Sequence, residues 1–112
     1  TGCGKTTILY IASTNIKVDG ELKFYDSKGS LGMTIRRGFC ENCGSGVLSY
    51  AKELPLLKFV KAGTLEDSSW VKVDSVFFTK SANQWDMPAD DIKCYEVNPN
   101  MLDNLKSVIK AL

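Results

Sequence analysis

The four cysteines are the residues of this sequence best suited to chemistry, and two of them stand close together. Cys40 and Cys43 are separated by two residues and are followed by Gly44. Two thiolates at this spacing can bind one Zn²⁺ at about 2.3 Å each, while the glycine lets the backbone turn sharply. Because a structural tetrahedral site needs four ligands, the pair predicts half of a zinc site.

The pair allows two other interpretations. A thioredoxin-type redox motif has the same spacing, but it normally begins a helix after a strand, and the residues on either side here favour strands. Two inert thiols are the third interpretation. The sequence has no histidine, which excludes histidine-based general-base catalysis, Cys-His dyads and histidine-ligated metals from this chain.

The other two cysteines, Cys3 and Cys94, stand alone in the sequence. A lone cysteine is usually a small buried hydrophobic residue, although either could complete the zinc site if the fold brought it near. Three further features have a simple structural interpretation beside a functional one. Arg36 and Arg37 could clamp an anion, but paired arginines at a strand end are usually solvated. Trp70 and Trp85 could line a pocket, but packing in the core is the simpler interpretation.

Length and charge limit the classes of function. The 112 residues suffice for one domain, and the net charge of +1 gives no long-range attraction to nucleic acid or to an anionic membrane. We therefore expect no nucleic-acid partner. We also expect no membrane partner, because no run approaches 18 apolar residues. Because the sequence shows no recognisable signal peptide, we expect a reducing compartment, either the cytoplasm or, as an alternative, the nucleus. In such a compartment, close cysteine pairs are more often metal ligands or redox groups.

Hydrophobic patterning predicts a mainly β protein. Strands are expected over 6–12, 16–18, 21–25, 31–35, 47–50, 56–62, 70–73 and 76–79, paired as antiparallel sheets. Asp19-Gly20 predicts a tight hairpin turn, and residues 26–29 predict a second turn. Asn98-Pro99 predicts the start of a C-terminal helix, whose apolar residues fall on one face. The expected organisation is a zinc-binding β domain over 1–97 with a helix over 98–112 packed on it.

Four segments in register resemble one protein family. Residues 37–45 (RGFCENCGS) resemble the R-x-F-C-x-x-C-G-[ST] segment of the GFA family, the glutathione-dependent formaldehyde-activating enzymes and centromere protein V-like relatives. Residues 60–67 (VKAGTLED) resemble its V-x-A-G-T-L-[DE]-D segment, and residues 78–85 resemble its stretch ending in tryptophan. Residues 1–3 resemble the end of an upstream segment that contains C-x-C-x-x-C.

The resemblance implies a β-tent fold, related to that of the B-type methionine sulfoxide reductases. It implies a structural zinc held by an upstream C-x-C pair together with Cys40 and Cys43, and a catalytic zinc held by the cysteines of the C-x-C-x-x-C segment. The implied activity is formation or cleavage of carbon–sulfur bonds in small thiol adducts, such as that of glutathione with formaldehyde. Glutathione is therefore a substrate by resemblance.

The sequence departs from the family pattern because both upstream cysteine motifs are missing. We therefore expect an N-terminally truncated domain whose catalytic and cofactor-binding residues are unknown, with zinc incomplete or absent and activity lost or impaired. Three functions compete: a carbon–sulfur lyase domain, a non-catalytic zinc-stapled binding module, and a zinc ribbon that mediates protein interaction. The missing ligands could come from water, from Cys3 or Cys94, or from a second copy in a homodimer.

Overall fold

The computed structural model describes residues 3–29 and 31–97. The chain divides into two compact units, one formed by Ile8–Ser68 and the other by the described residues 3–7 and 69–97. The helix predicted over 98–112 lies outside the described residues. The division into a domain over 1–97 with a packed helix therefore stays a prediction.

A five-stranded antiparallel sheet forms the first unit and confirms the mainly β prediction. Its spatial order is β1-β5-β4-β3-β2. The strands are β1 (Ile8–Ala12), β2 (Lys23–Lys28), β3 (Thr34–Phe39), β4 (Gly46–Ala51) and β5 (Leu54–Lys61). Short 3-10 helices follow β1 at Ser13–Asn15 and β5 at Ala62–Thr64.

The hydrophobic core lies where the interior strands β4 and β5 pair. Leu48 of β4 lies opposite Val60 of β5, and both are buried. Alternation along β5 sends Leu57, which is also buried, to the other face. Ala51 and Ala62 complete the buried apolar set among the described residues.

The structure overturns two sequence predictions within this unit. Residues 16–18 form no strand, and β2 pairs with β3 instead, with Lys23 opposite Phe39. Gly20 does adopt a positive φ of 95°, so the Asp19-Gly20 turn signal is realised, but in a loop and not in a hairpin. The second turn also lies later than predicted, because residues 26–28 belong to β2 and the Gly32 N–H donates to the Gly29 carbonyl at 3.1 Å.

The second unit contains two short parallel strands, β6 (Ser75–Val76) and β7 (Lys93–Cys94). Backbone hydrogen bonds continue between the segments that follow these strands, since the Thr79 N–H donates to the Tyr95 carbonyl at 3.0 Å. Two 3-10 helices lie between the strands at Thr79–Ser81 and Gln84–Asp86. The strand predicted over 70–73 is absent from this unit.

Within the described residues, no helix has the length and apolar character needed to cross a membrane.

Candidate metal centre

Cys40 and Cys43 lie in the tight connection between β3 and β4. The Cys40 N–H donates to the Ser45 carbonyl at 2.9 Å, and the Gly44 N–H donates to the Cys40 carbonyl at 2.7 Å. Gly44 has a φ of 78°, which L-residues with a side chain rarely adopt. The two hydrogen bonds and this glycine hold the turn closed, with one cysteine at each side of it.

The strands beneath the turn are interior strands of the sheet, with a neighbour on each side. The β3–β4 register shifts between Gly38 and Phe39, so that Phe39 lies opposite Gly46. A bulge of this kind bends the strand and re-aims the residues that follow it. The turn that carries the two cysteines is therefore supported by paired backbone on both sides.

Hydrogen bonding lowers the pKa of the Cys43 thiol. The largest cause is the Ser45 side chain, whose Oγ lies 3.3 Å from the Cys43 Sγ; the Ser45 backbone and the Cys40 side chain add to the effect. Groups that donate to a thiolate stabilise its charged form. Cys43 is exposed and Cys40 is half-buried. Cys43 thus combines access from solvent with an environment that favours the thiolate, the form of sulfur that binds metals.

Within the described residues, no further candidate ligand groups with Cys40 and Cys43. Nowhere in 3–29 and 31–97 do three or more histidine, cysteine, aspartate or glutamate side chains group to hold a metal. The prediction that lone cysteines are buried is wrong for Cys3 and Cys94, which are both exposed. The Cys94 thiol donates to the Ile92 carbonyl at 3.3 Å and lies in a two-residue strand, β7, whose residues are both exposed.

The prediction that the two tryptophans pack in the core was also wrong. Trp70 is 63% exposed and Trp85 is 75% exposed. Trp70 lies in a turn outside the strands, and Trp85 lies in a three-residue 3-10 helix. Neither element has the length to bury an indole against its own unit.

The two arginines before the turn do not form a joint anion clamp, because consecutive strand residues point to opposite faces of a sheet. The Arg36 Nε donates to the Asp26 Oδ1 at 3.0 Å, and the Arg37 guanidinium donates to the Ser27 hydroxyl. Hydrogen bonding to Asp26 is the main cause that raises the pKa of Arg36. Each arginine is thus engaged with β2 on its own face.

Sequence reasoning missed two features of this unit. Ser45 is the hydrogen-bonding partner of the Cys43 thiol, and its position two residues after Cys43 was a usable signal. The second feature is a groove on the sheet beside Leu48, in which the Lys58 ammonium lies 3.3 Å from the centre of the Tyr50 ring. Finding it required the β4–β5 pairing, which is irregular between Ser49 and Ala51.

Comparison with known proteins defines the class to which this sheet and its cysteine turn belong. The sequence profile of the glutathione-dependent formaldehyde-activating enzyme (GFA) family matches residues 1–81. Because this span covers most of the chain, the protein belongs to the GFA family. The matched span contains the whole antiparallel sheet and the turn with Cys40 and Cys43. No curated protein and no solved structure gives a significant match.

Proposed function

We propose that this chain is part of a zinc-dependent carbon–sulfur lyase domain, in which Cys40 and Cys43 supply half of the structural zinc site. The observation that carries the proposal is the closed β3–β4 turn, which presents two thiols within the span matched by the GFA family. The proposed substrate class is a small thiol adduct, such as that of glutathione with formaldehyde. The proposed fold is the β-tent, and the proposed location is the cytoplasm.

The residues present fit one side of a structural zinc site. Gly44 provides the turn, and Ser45 favours the thiolate form of Cys43. When bound in the lyase, a zinc ion with an open position would act as a Lewis acid toward the sulfur or oxygen of the adduct. This chain's own contribution is to orient two thiolates on paired backbone. The remaining positions on the zinc would be filled by water, by residues outside the described part of the chain, or by a second chain.

Metal binding by purified variants tests the assignment. We expect the chain to hold zinc weakly, because the affinity of a structural site depends on its full ligand set. Competition with a chromophoric chelator should show that Cys40→Ser and Cys43→Ser each abolish this binding. Cys94→Ser is the matched control, since Cys94 is an exposed thiol in the other unit, and it should leave binding unchanged. One tightly held zinc per chain that survives Cys40→Ser would overturn the proposal.

An activity assay separates the lyase proposal from a non-catalytic alternative. The alternative is a zinc-stapled binding module, which would need the structural site but no open catalytic zinc. On either proposal, the 112-residue chain should form the glutathione–formaldehyde adduct at the uncatalysed rate, because an open catalytic site needs three protein ligands. Turnover by this chain that a chelator abolishes would contradict this expectation. Zinc-dependent turnover by a longer form with the upstream cysteines would favour the lyase, and its absence the binding module.

A further inference from the structure

One face of the five-stranded sheet carries an open groove of about 250 Å³. Its floor is the buried side chain of Leu48. Apolar walls come from β2 and from the loop before it, and a lysine and a tyrosine stand at one side. The main lining residues are Val18, Leu22, Phe24, Leu48, Tyr50 and Lys58.

Tyr50 is held in place by residues of β3 and β2. Its hydroxyl accepts a hydrogen bond from the Arg36 Nη1 at 3.2 Å. The Phe24 ring meets it edge-on, with ring centres 6.1 Å apart. The aromatic side of the groove is therefore preorganised, which reduces the entropy that a ligand must lose on binding.

Lys58 provides the groove's charge. Arg36 stands nearby, but its charge is offset by Asp26, with Nε and Oδ1 3.0 Å apart. Among the ion pairs of the described residues, none involves Lys58. Its ammonium lies over the Tyr50 ring, a contact that leaves its N–H donors able to bind an anion.

We propose that this groove binds a small organic carboxylate with an apolar body. The carboxylate would pair with the Lys58 ammonium, and the apolar body would lie over Leu48 between Phe24 and Val18. The cavity is somewhat smaller than the sites that accept drug-sized ligands, so the ligand is a short-chain or single-ring acid. A mostly apolar site with one charged group that fixes orientation has the general form of a small-molecule site.

Titrations followed by amide NMR test the proposal with defined probes. Hexanoate and phenylacetate represent the aliphatic and the aromatic acid, and their primary amides are the neutral controls. At least one acid should cause saturable shifts at the amides of Leu48 and Tyr50. Its amide should bind about tenfold more weakly, because a hydrogen bond to a charged group is worth more than one between neutral groups.

Three lysine variants then assign the charge effect. Lys58→Gln should weaken binding of the acid about tenfold, to the level of its amide, and Lys58→Arg should restore it. The matched control is Lys52→Gln, because Lys52 is an exposed lysine in the β4–β5 turn, and it should leave both affinities unchanged. An amide NMR spectrum with the same chemical-shift dispersion as that of the parent chain establishes that each variant is folded.

Several results would overturn the proposal. These are the absence of saturable shifts with both acids, equal affinities for acid and amide, and equal effects of Lys58→Gln and Lys52→Gln. Shifts that map away from Leu48 and Tyr50 would do the same. If Lys58→Gln fails to fold, the acid-to-amide ratio and Lys58→Arg still decide the outcome. The measurement is independent of zinc, so its failure would leave the proposed lyase function untouched.

Discussion

Replacing Gly38 with alanine should destabilise the sheet because there is no room for a methyl group. Gly38 is buried in β3, and a Cβ added there would lie 2.9 Å from the Phe24 Cε1 and 3.1 Å from the Leu22 Cδ1. The third neighbour is the backbone carbonyl oxygen of Leu48, at 3.3 Å. The two side chains can yield, but the carbonyl belongs to an interior strand and cannot move freely.

The expected magnitude follows from two opposing effects. Overpacking of a well-packed region costs about 2 kcal/mol. Alanine offsets about 0.7 kcal/mol of this, because glycine is entropically unfavourable in a strand. The net loss of unfolding free energy is then about 1.3 kcal/mol, which lowers Tm by roughly 5 °C for a chain of this size.

Urea denaturation of two alanine variants provides the assay. Gly63 is the matched control, since nothing lies within 4 Å of a Cβ placed there and its φ is not in the left-handed region. Gly63→Ala should leave stability unchanged or raise it by up to about 1 kcal/mol. In a Phe24→Ala background, Gly38→Ala should cost about 1 kcal/mol less, because the closest contact is gone. Equal stabilities for the two glycine variants, or no coupling to Phe24, would refute the reasoning.

Three further predictions concern titrating groups. Ser45→Ala should raise the pKa of Cys43, because the hydroxyl is the largest cause that lowers it; mass-spectrometric alkylation profiles against pH should shift upward for Cys43 and stay fixed for Cys94. Burial raises the pKa of Tyr10 to about 12, so the contribution of Tyr10 to stability should be constant below about pH 10, the ordinary tyrosine value, and fall as pH rises toward 12; ultraviolet titration of Tyr10→Phe should lack the latest tyrosinate step, and its presence would contradict this assignment. Backbone hydrogen bonds lower the pKa of Glu53, so its stabilising effect should be present at pH 7 and lost as pH falls through the folded-state pKa; the stability difference between the parent chain and Glu53→Gln should shrink over that acid range, and a difference that stays constant with pH would refute it.

The sequence predicted strands best where apolar and β-branched residues form long runs. Runs of this kind lie at β1, β4 and β5, and strands occur there. The prediction failed for residues 16–18 and 70–73, where short apolar stretches have no partner strand. Strand pairing depends on contacts distant in sequence, so a local Asp19-Gly20 signal could not reveal that β2 pairs with β3.

The turn that carries the two cysteines was predictable for a related reason. Cys40, Cys43 and Gly44 lie within a single turn, so their spacing alone carries the information, and the metal that they would bind stays a prediction. The exposure of Cys3 and Cys94 was not predictable, because burial depends on which elements cover a residue. The groove at Lys58 depends on three strands and a loop, and no short motif encodes such an arrangement.

The local character of the cysteine turn has a consequence for the order of folding. The turn connects adjacent strands, whereas β1 and β5 pair residues as distant as Ile8 and Lys61. Hairpins form in about 1–10 μs, while pairing of distant segments must first overcome the entropy of loop closure. The thiol pair can therefore assemble before the sheet is complete. A ligand that also binds incompletely folded chains stabilises the native state less. On the proposed zinc assignment, release of zinc from this turn and unfolding of the sheet should therefore occur at different denaturant concentrations.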